Sequence, residues 1–200
     1  MTTISSITLD VIDPVQAEGF YRDAFGIDER IRFRAAQPES TGFRGYTISL
    51  LASQPGNVSA LLDAAVAAGA TTLKPAEKSL WGFGGVVQAP DGAIWTVATQ
   101  AKKDKSPVTK EFTDIVVLLA ASDVGESKKF YVEHGFAVGK SFGKYVDFDL
   151  PSSPVKLGLY TRGALAKTAG VPRDGSGSHR ITLASDAGAF TDPDGFAWVS

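Results

Sequence analysis

The chain of 200 residues contains no cysteine. Disulfides, thiolate nucleophiles, cysteine-bound zinc and iron–sulfur clusters are therefore excluded. Histidine is nearly absent as well: His134 and His179 are the only two, so no site built on three imidazoles exists. Long apolar runs are missing. The longest, Ile115 to Ala121, is far short of the roughly 20 residues that span a bilayer, so no membrane association is expected. Charge of one sign is lacking too. Twenty Lys+Arg against 22 Asp+Glu leave a net charge of −2, which argues against a nucleic-acid binder held by phosphate contacts. Met1 to Ser6 has neither a basic region nor a long apolar segment, so no signal peptide is visible and a soluble, cytoplasmic protein is expected. Neither a Gly-x-Ser-x-Gly elbow nor a His-Glu-x-x-His pair occurs, and Gly135 to Ser141 spaces its glycines one residue too closely for a phosphate loop.

What is present is enough apolar sequence, 44%, for a real core. The segment Gln100 to Glu111 is charged, contains Pro107 and lacks apolar periodicity. It reads as a linker, 101–111, between domains 1–100 and 112–200. The halves repeat each other. Asp13 precedes Phe20-Tyr21 by the same interval that separates Asp123 from Phe130-Tyr131. Pro90-Asp91-Gly92 leads to Trp95 as Pro193-Asp194-Gly195 leads to Trp198.

Local patterns predict the elements. Ile4 to Val11 alternates as a strand. Asp13-Pro14 starts a helix that Gly26 ends, with Ala17, Phe20, Tyr21 and Ala24 on one face. Ile27 to Arg34 and Tyr46 to Ala52 read as strands. Val58 to Ala68 reads as an amphipathic helix with Val58, Leu61, Leu62, Ala65 and Val66 inward. Strands at Gly84 to Gln88 and Ala93 to Thr99 flank the Pro90-Asp91-Gly92 turn. In the second half, Ile115 to Ala121 is a strand, Asp123 caps a helix that Gly135 stops, and Tyr145 to Leu150 pairs with Val155 to Tyr160. Ser178 to Ala184 is a strand with His179, Ile181 and Leu183 on one face. The interval after it is too short for a counterpart of the helix at 58–68, so the second domain is expected to be abbreviated.

The order strand, Asp-capped Phe-Tyr helix, strands and Pro-Asp-Gly hairpin ending in Trp resembles the vicinal oxygen chelate superfamily, which holds glyoxalase I, extradiol dioxygenases and bleomycin-resistance proteins. The residues that carry it are Asp13, Phe20, Tyr21, Gly26, Pro90-Asp91-Gly92 and Trp95, with their counterparts from Asp123 to Trp198. The resemblance implies an α+β fold: paired βαβββ modules whose curved mixed sheets enclose a pocket, in two tandem domains. It also implies a divalent metal on His and Glu ligands, at positions that here carry Ser6, Thr96, Val116 and Val199. His179 stands near another customary ligand position, and Asp114 would reach the second-half slot if its strand bulged. With the usual donors missing, no cofactor and no metal are expected.

The remaining candidates are aromatic. Trp81 and Phe83 are interleaved with glycines, which leave room for a flat ligand; the same residues would serve a bulged strand packed under a sheet. Tyr46 and Trp95 are expected to contribute to that pocket. His179 is either a hydrogen-bonded strand residue or a base or donor facing a ligand; His134 is read as a helix cap. Phe20 and Phe130 are expected in the core. Together these features point to metal-independent binding or sequestration of a hydrophobic or aromatic small molecule, by a monomer or homodimer. The alternative is a glyoxalase-like lyase or dioxygenase with a non-standard metal site using His179 and Asp114.

Overall fold

A computed structural model of the protein describes residues 2–80 and 82–200. The first half runs β1 (Ile4–Val11), α1 (Pro14–Phe25), β2 (Ile31–Ala35), β3 (Ser40–Gly42), β4 (Tyr46–Leu51), α2 (Pro55–Ala67), β5 (Thr71–Ser79), β6 (Gly82–Gln88) and β7 (Ile94–Thr99). The second runs β8 (Asp114–Ala121), α3 (Val124–Glu133), β9 (Val138–Phe142), β10 (Tyr145–Phe148), β11 (Val155–Thr161), α4 (Arg162–Ala169), β12 (Gly175–Gly177), β13 (Ile181–Ser185), β14 (Phe190–Thr191) and β15 (Ala197–Val199).

The Asp caps form as their sequence signals require. Asp13 accepts from the amides of Val15 and Gln16, and Asp123 from those of Gly125 and Glu126. Each such cap stabilises its helix by about 1 kcal/mol. Gly26, with φ 63°, takes the left-handed conformation that ends α1 at little steric cost.

Thirteen of the described strands join one mixed sheet of order β14-β15-β13-β1-β11-β8-β4-β7-β6-β5, with β2 on β1 and β10 and β9 beyond β11, while β3 and β12 pair as a separate antiparallel ribbon. Sequence neighbours are not sheet neighbours here. β1 of the first half pairs with β13 and β11 of the second, and β8 of the second half pairs with β4 of the first. The two halves thus exchange their leading strands, and the sheet continues across residues 101–111.

Side-chain alternation divides the sheet into two faces. Ile7, Leu9, Ile48, Leu50, Trp95, Val97, Ile115, Val117, Leu119 and Trp198 form the main core on the face covered by α1, α2 and α3. On the opposite face α4 packs Leu165, Ala166 and Ala169 onto Val86, Ile94 and Ala120 as a second, smaller core.

Several expectations are corrected. Among the described residues the interval after β13 holds no helix, as expected, but the second half has one earlier: α4, of 8 residues, lies between β11 and β13 as α2, of 13, lies between β4 and β6. The strand predicted over 27–34 begins at Ile31. Val66 is 46% exposed, because α2 turns it to solvent. Phe20 is buried, but Phe130 is only partly so; it lies at the edge of the core, stacked on His134 with ring centroids 4.1 Å apart. His134 caps α3 through its amide, and its Nδ1 lies 2.8 Å from the Phe130 carbonyl oxygen.

Candidate functional site

The face that carries α4 is where the resemblance would set a metal, and strand register shows how its ligand positions are arranged. Thr96 on β7 and Val116 on β8 both stand opposite Ser49 on β4. The three form one cross-strand row, and Lys156 of β11 continues it beside Val116. Ser6 on β1 and Val199 on β15 both stand opposite Ala184 on β13, forming a second row. Neighbouring residues in such rows lie about 5 Å apart. The fold therefore keeps the slots aligned, while the sequence fills them with hydroxyls and aliphatic groups. Among the described residues no group of three His, Asp or Glu side chains is placed to hold an ion. His179 and Asp114 do not meet. His179 reaches the Arg44 carbonyl just before β4, and Asp114 pairs with Leu51 at its far end, about 20 Å along the strand.

His179 is engaged elsewhere. Arg180 is the one described non-glycine residue with positive φ, at 55°, and β13 begins only after it, so the strand alternation expected for His179 does not apply. Its Nδ1 lies 2.6 Å from the Arg44 carbonyl oxygen and its Nε2 lies 3.0 Å from that of Asp194. The ring stacks on Phe196 with centroids 3.9 Å apart. Neither nitrogen is free to meet a metal or a substrate in this arrangement. His179 instead ties the entry to β4 to the Pro193-Asp194-Gly195 turn.

Trp95 is a core residue. It is fully buried, packs on Tyr21 and Phe25 at 5.2 Å and 5.1 Å, and donates its indole N–H to the Tyr21 hydroxyl at 3.1 Å. Tyr46 stands opposite Leu119, on the helix-covered face. Burial pushes its hydroxyl well above the usual tyrosine range, an effect that the positive charge of Arg44 offsets in part. Neither Trp95 nor Tyr46 lines the cleft described next; the alternation of their strands turns both inward. Trp81 lies outside the described residues.

Phe83 lies at the margin of a cleft, but the β6–β7 register sets it on the face of Trp95 and Val97, where it packs on the main core. A hollow of about 260 Å³ lies beside β6, with Gly84, Val86, Thr96 and Ala98 in its floor and Pro75, Glu77, Phe83 and Thr168 around it. Gly84 is packed closely against β7: a Cβ there would come within 3.0 Å of the Ala98 Cβ. Lys74, also at the rim, donates from Nζ to the Lys167 carbonyl at 2.7 Å and so fastens β5 to α4. The floor includes Thr96, the residue at the position of a family metal ligand. Phe83, Gly84 and Thr96 had sequence signals as a Gly-aromatic stretch and a motif position. Thr168 had none, because it enters through α4.

Comparison with known structures fits this arrangement. Glyoxalase I from Zea mays superposes with a TM-score of 0.65 at 15% identity, over 99% of this chain and 91% of that one. This is the glyoxalase fold. A single-residue variant of the maize enzyme gives 0.63 at 14% identity, again over 99% of this chain and 91% of that chain. A provisionally assigned dioxygenase from Bacillus subtilis gives 0.56 at 11% identity, over 96% of this chain and 71% of the other. No family model and no curated protein matches the sequence. The glyoxalase fold here spans the whole tandem arrangement, with both sequence halves inside one sheet.

Proposed function

We propose that the protein uses its glyoxalase-type fold to bind a small, flat hydrophobic or aromatic molecule in the cleft over Thr96, without a metal. The observation that carries this reading is the alignment of Thr96 and Val116 across Ser49, two expected ligand positions without a carboxylate or imidazole, with Thr96 in the floor of an open cleft. Hydroxyl groups alone are weak ligands for divalent transition ions. A cleft with small residues in its floor and Pro75 and Val86 in its lining offers apolar contact area instead. Binding of this kind serves sequestration.

The test has two arms. Protein purified without chelators is analysed for Zn, Mn, Ni and Fe, with substoichiometric content expected. A panel of naphthol, indole and quinoline compounds is then titrated by calorimetry against the wild type and against Thr96→Leu, Ala98→Leu and Thr168→Arg, which add bulk to the cleft. For any compound that binds, filling the cleft is expected to weaken affinity by about 10-fold. A stoichiometric divalent ion together with ligand binding that depends on it overturns the reading, and so does affinity unchanged in all three variants.

A further inference from the structure

Where β4 and β7 begin and β6 ends, a second hollow of about 370 Å³ opens at the end of the sheet. It shares no lining residue with the cleft over Thr96. Phe43, Ile94, Val171 and Pro172 give it apolar walls. Gly92, with φ 88°, forms another part of the lining, and a Cβ there would come within 2.7 Å of the Arg44 Nη2. Glycine at this position lets the guanidinium lie against the Pro90-Asp91-Gly92 turn.

Two polar groups of this lining exceed what the fold asks of them. Arg44 donates from Nη2 to the Asp91 carbonyl at 2.7 Å, and among the described residues it takes part in no ion pair. The Asp91 carboxylate is engaged by the Tyr21 hydroxyl and the Ala93 amide. Asp174, the other charged residue of the lining, has its side chain 91% exposed and lies 3.9 Å from Arg173. The second group is the Tyr46 hydroxyl. It is buried, and among the described residues it has no hydrogen-bond partner. Arg44 is the strongest charge acting on it. A guanidinium only donates, so the hydroxyl proton is left without an acceptor. Buried polar groups in folded proteins are otherwise paired.

We propose that this hollow binds a small carboxylate with an apolar body, such as an arylacetate. The carboxylate accepts from the Arg44 guanidinium and from the Tyr46 hydroxyl, and the apolar body lies against Phe43, Ile94 and Val171. A guanidinium that no carboxylate of the chain neutralises, set among apolar walls, attracts an anion more strongly than it would in open water. The Gln88 side chain borders the hollow without adding charge; its Nε2 donates to the Gly92 carbonyl at 3.2 Å. Apolar walls with a few convergent polar groups are the usual make-up of a small-molecule site. The site does not depend on the cleft over Thr96.

The probe is phenylacetate, titrated by calorimetry into the intact chain alongside neutral 2-phenylacetamide. Phenylacetate is expected to bind, and the amide at least about tenfold more weakly. Tyr46→Phe removes one oxygen and keeps the ring. It is expected to weaken phenylacetate about 5- to 10-fold without lowering the urea midpoint, because the fold does not use the hydroxyl. Gln88→Glu, equal in shape, puts a like charge in the lining and is expected to weaken phenylacetate at least about tenfold. Thr168→Arg, in the other cleft, is expected to leave binding unchanged. The proposal is overturned if phenylacetate does not bind at millimolar concentration, if the amide binds as tightly, or if either Tyr46→Phe or Gln88→Glu binds as the wild type does. A lowered urea midpoint in Tyr46→Phe also overturns it, since the hydroxyl would then serve the fold. So does loss of binding in Thr168→Arg, which would place the probe over Thr96.

Discussion

At the scale of single residues, the motif shared by the two halves is a hydrogen-bond relay. Tyr21 accepts from the Trp95 indole and donates to Asp91; Tyr131 accepts from the Trp198 indole at 3.2 Å and donates to Asp192 at 2.6 Å. The acceptor has moved by two residues between the copies. Asp192 does in the second half what Asp91 does in the first, and Asp194 is thereby released to hold Ser122 and Ser127. Both tyrosine hydroxyls are held far above their ordinary range, first by burial and then by the adjacent carboxylate. Burial likewise raises Asp192 above the usual carboxylate range. Removing the hydroxyl that bonds Asp192 leaves a buried carboxylate short of a donor and the Trp198 N–H without an acceptor. Tyr131→Phe is therefore expected to lower stability by about 1–3 kcal/mol, read as a shift of the urea midpoint at unchanged slope. A midpoint equal to wild type would mean that the relay has no energetic role. The sequence made Tyr131 and Trp198 visible as a repeated pair, but not their partner. The repeat aligns Asp91 with Asp194, and only the folded turn brings Asp192 to the hydroxyl.

At the scale of elements, the best-read parts of the chain are those whose stop and start signals are local. Asp13-Pro14, Gly26 and Asp123 mark helix ends by side-chain and backbone chemistry that acts within a few residues. β5 was not legible. Thr71–Ser79 contains Pro75 and three charges, has no alternation, and follows β6 through two register shifts at the edge of the sheet. α4 was not legible either, since its buried face is only Leu165 and two alanines and Thr161 makes no capping bond. The segment 101–111 is a linker by composition, yet it is docked. Asp104 accepts from the Gly56 amide at 2.7 Å and so caps α2. Gln54 accepts from the Lys105 and Ser106 amides and donates to the Ser106 carbonyl. Asn57 accepts from the Thr109 amide. Asp104→Ala is expected to cost about 1 kcal/mol and to speed tryptic cleavage at Lys102, Lys103 and Lys105. Cleavage at the wild-type rate would show that the cap does not hold the segment down.

At the scale of the whole molecule, the exchange of leading strands decides what counts as a folding unit. Residues 1–100 alone would leave β4 without β8 and β1 without β13, two long apolar edges open to solvent. The fragment 1–100 is expected to be unfolded or aggregated by circular dichroism and sedimentation. Co-refolding it with 112–200 is expected to restore a soluble complex with the spectrum of the intact chain. A stable, monomeric 1–100 would contradict the observed pairing. This part of the architecture could not be read from residue patterns, because Leu9 and Val117 look alike whichever neighbour they meet. The exchange also sets a timetable. Leu9 pairs with Ile181, in the second half. At a synthesis rate of about 5–20 residues per second, β1 leaves the ribosome roughly 10–30 s before its partner strand exists. During that interval its only strand neighbour of the same half is β2, a parallel pair at the margin of the sheet. The newborn chain must carry the edge of its longest-range pairing unprotected until the strand around Ile181 has been made.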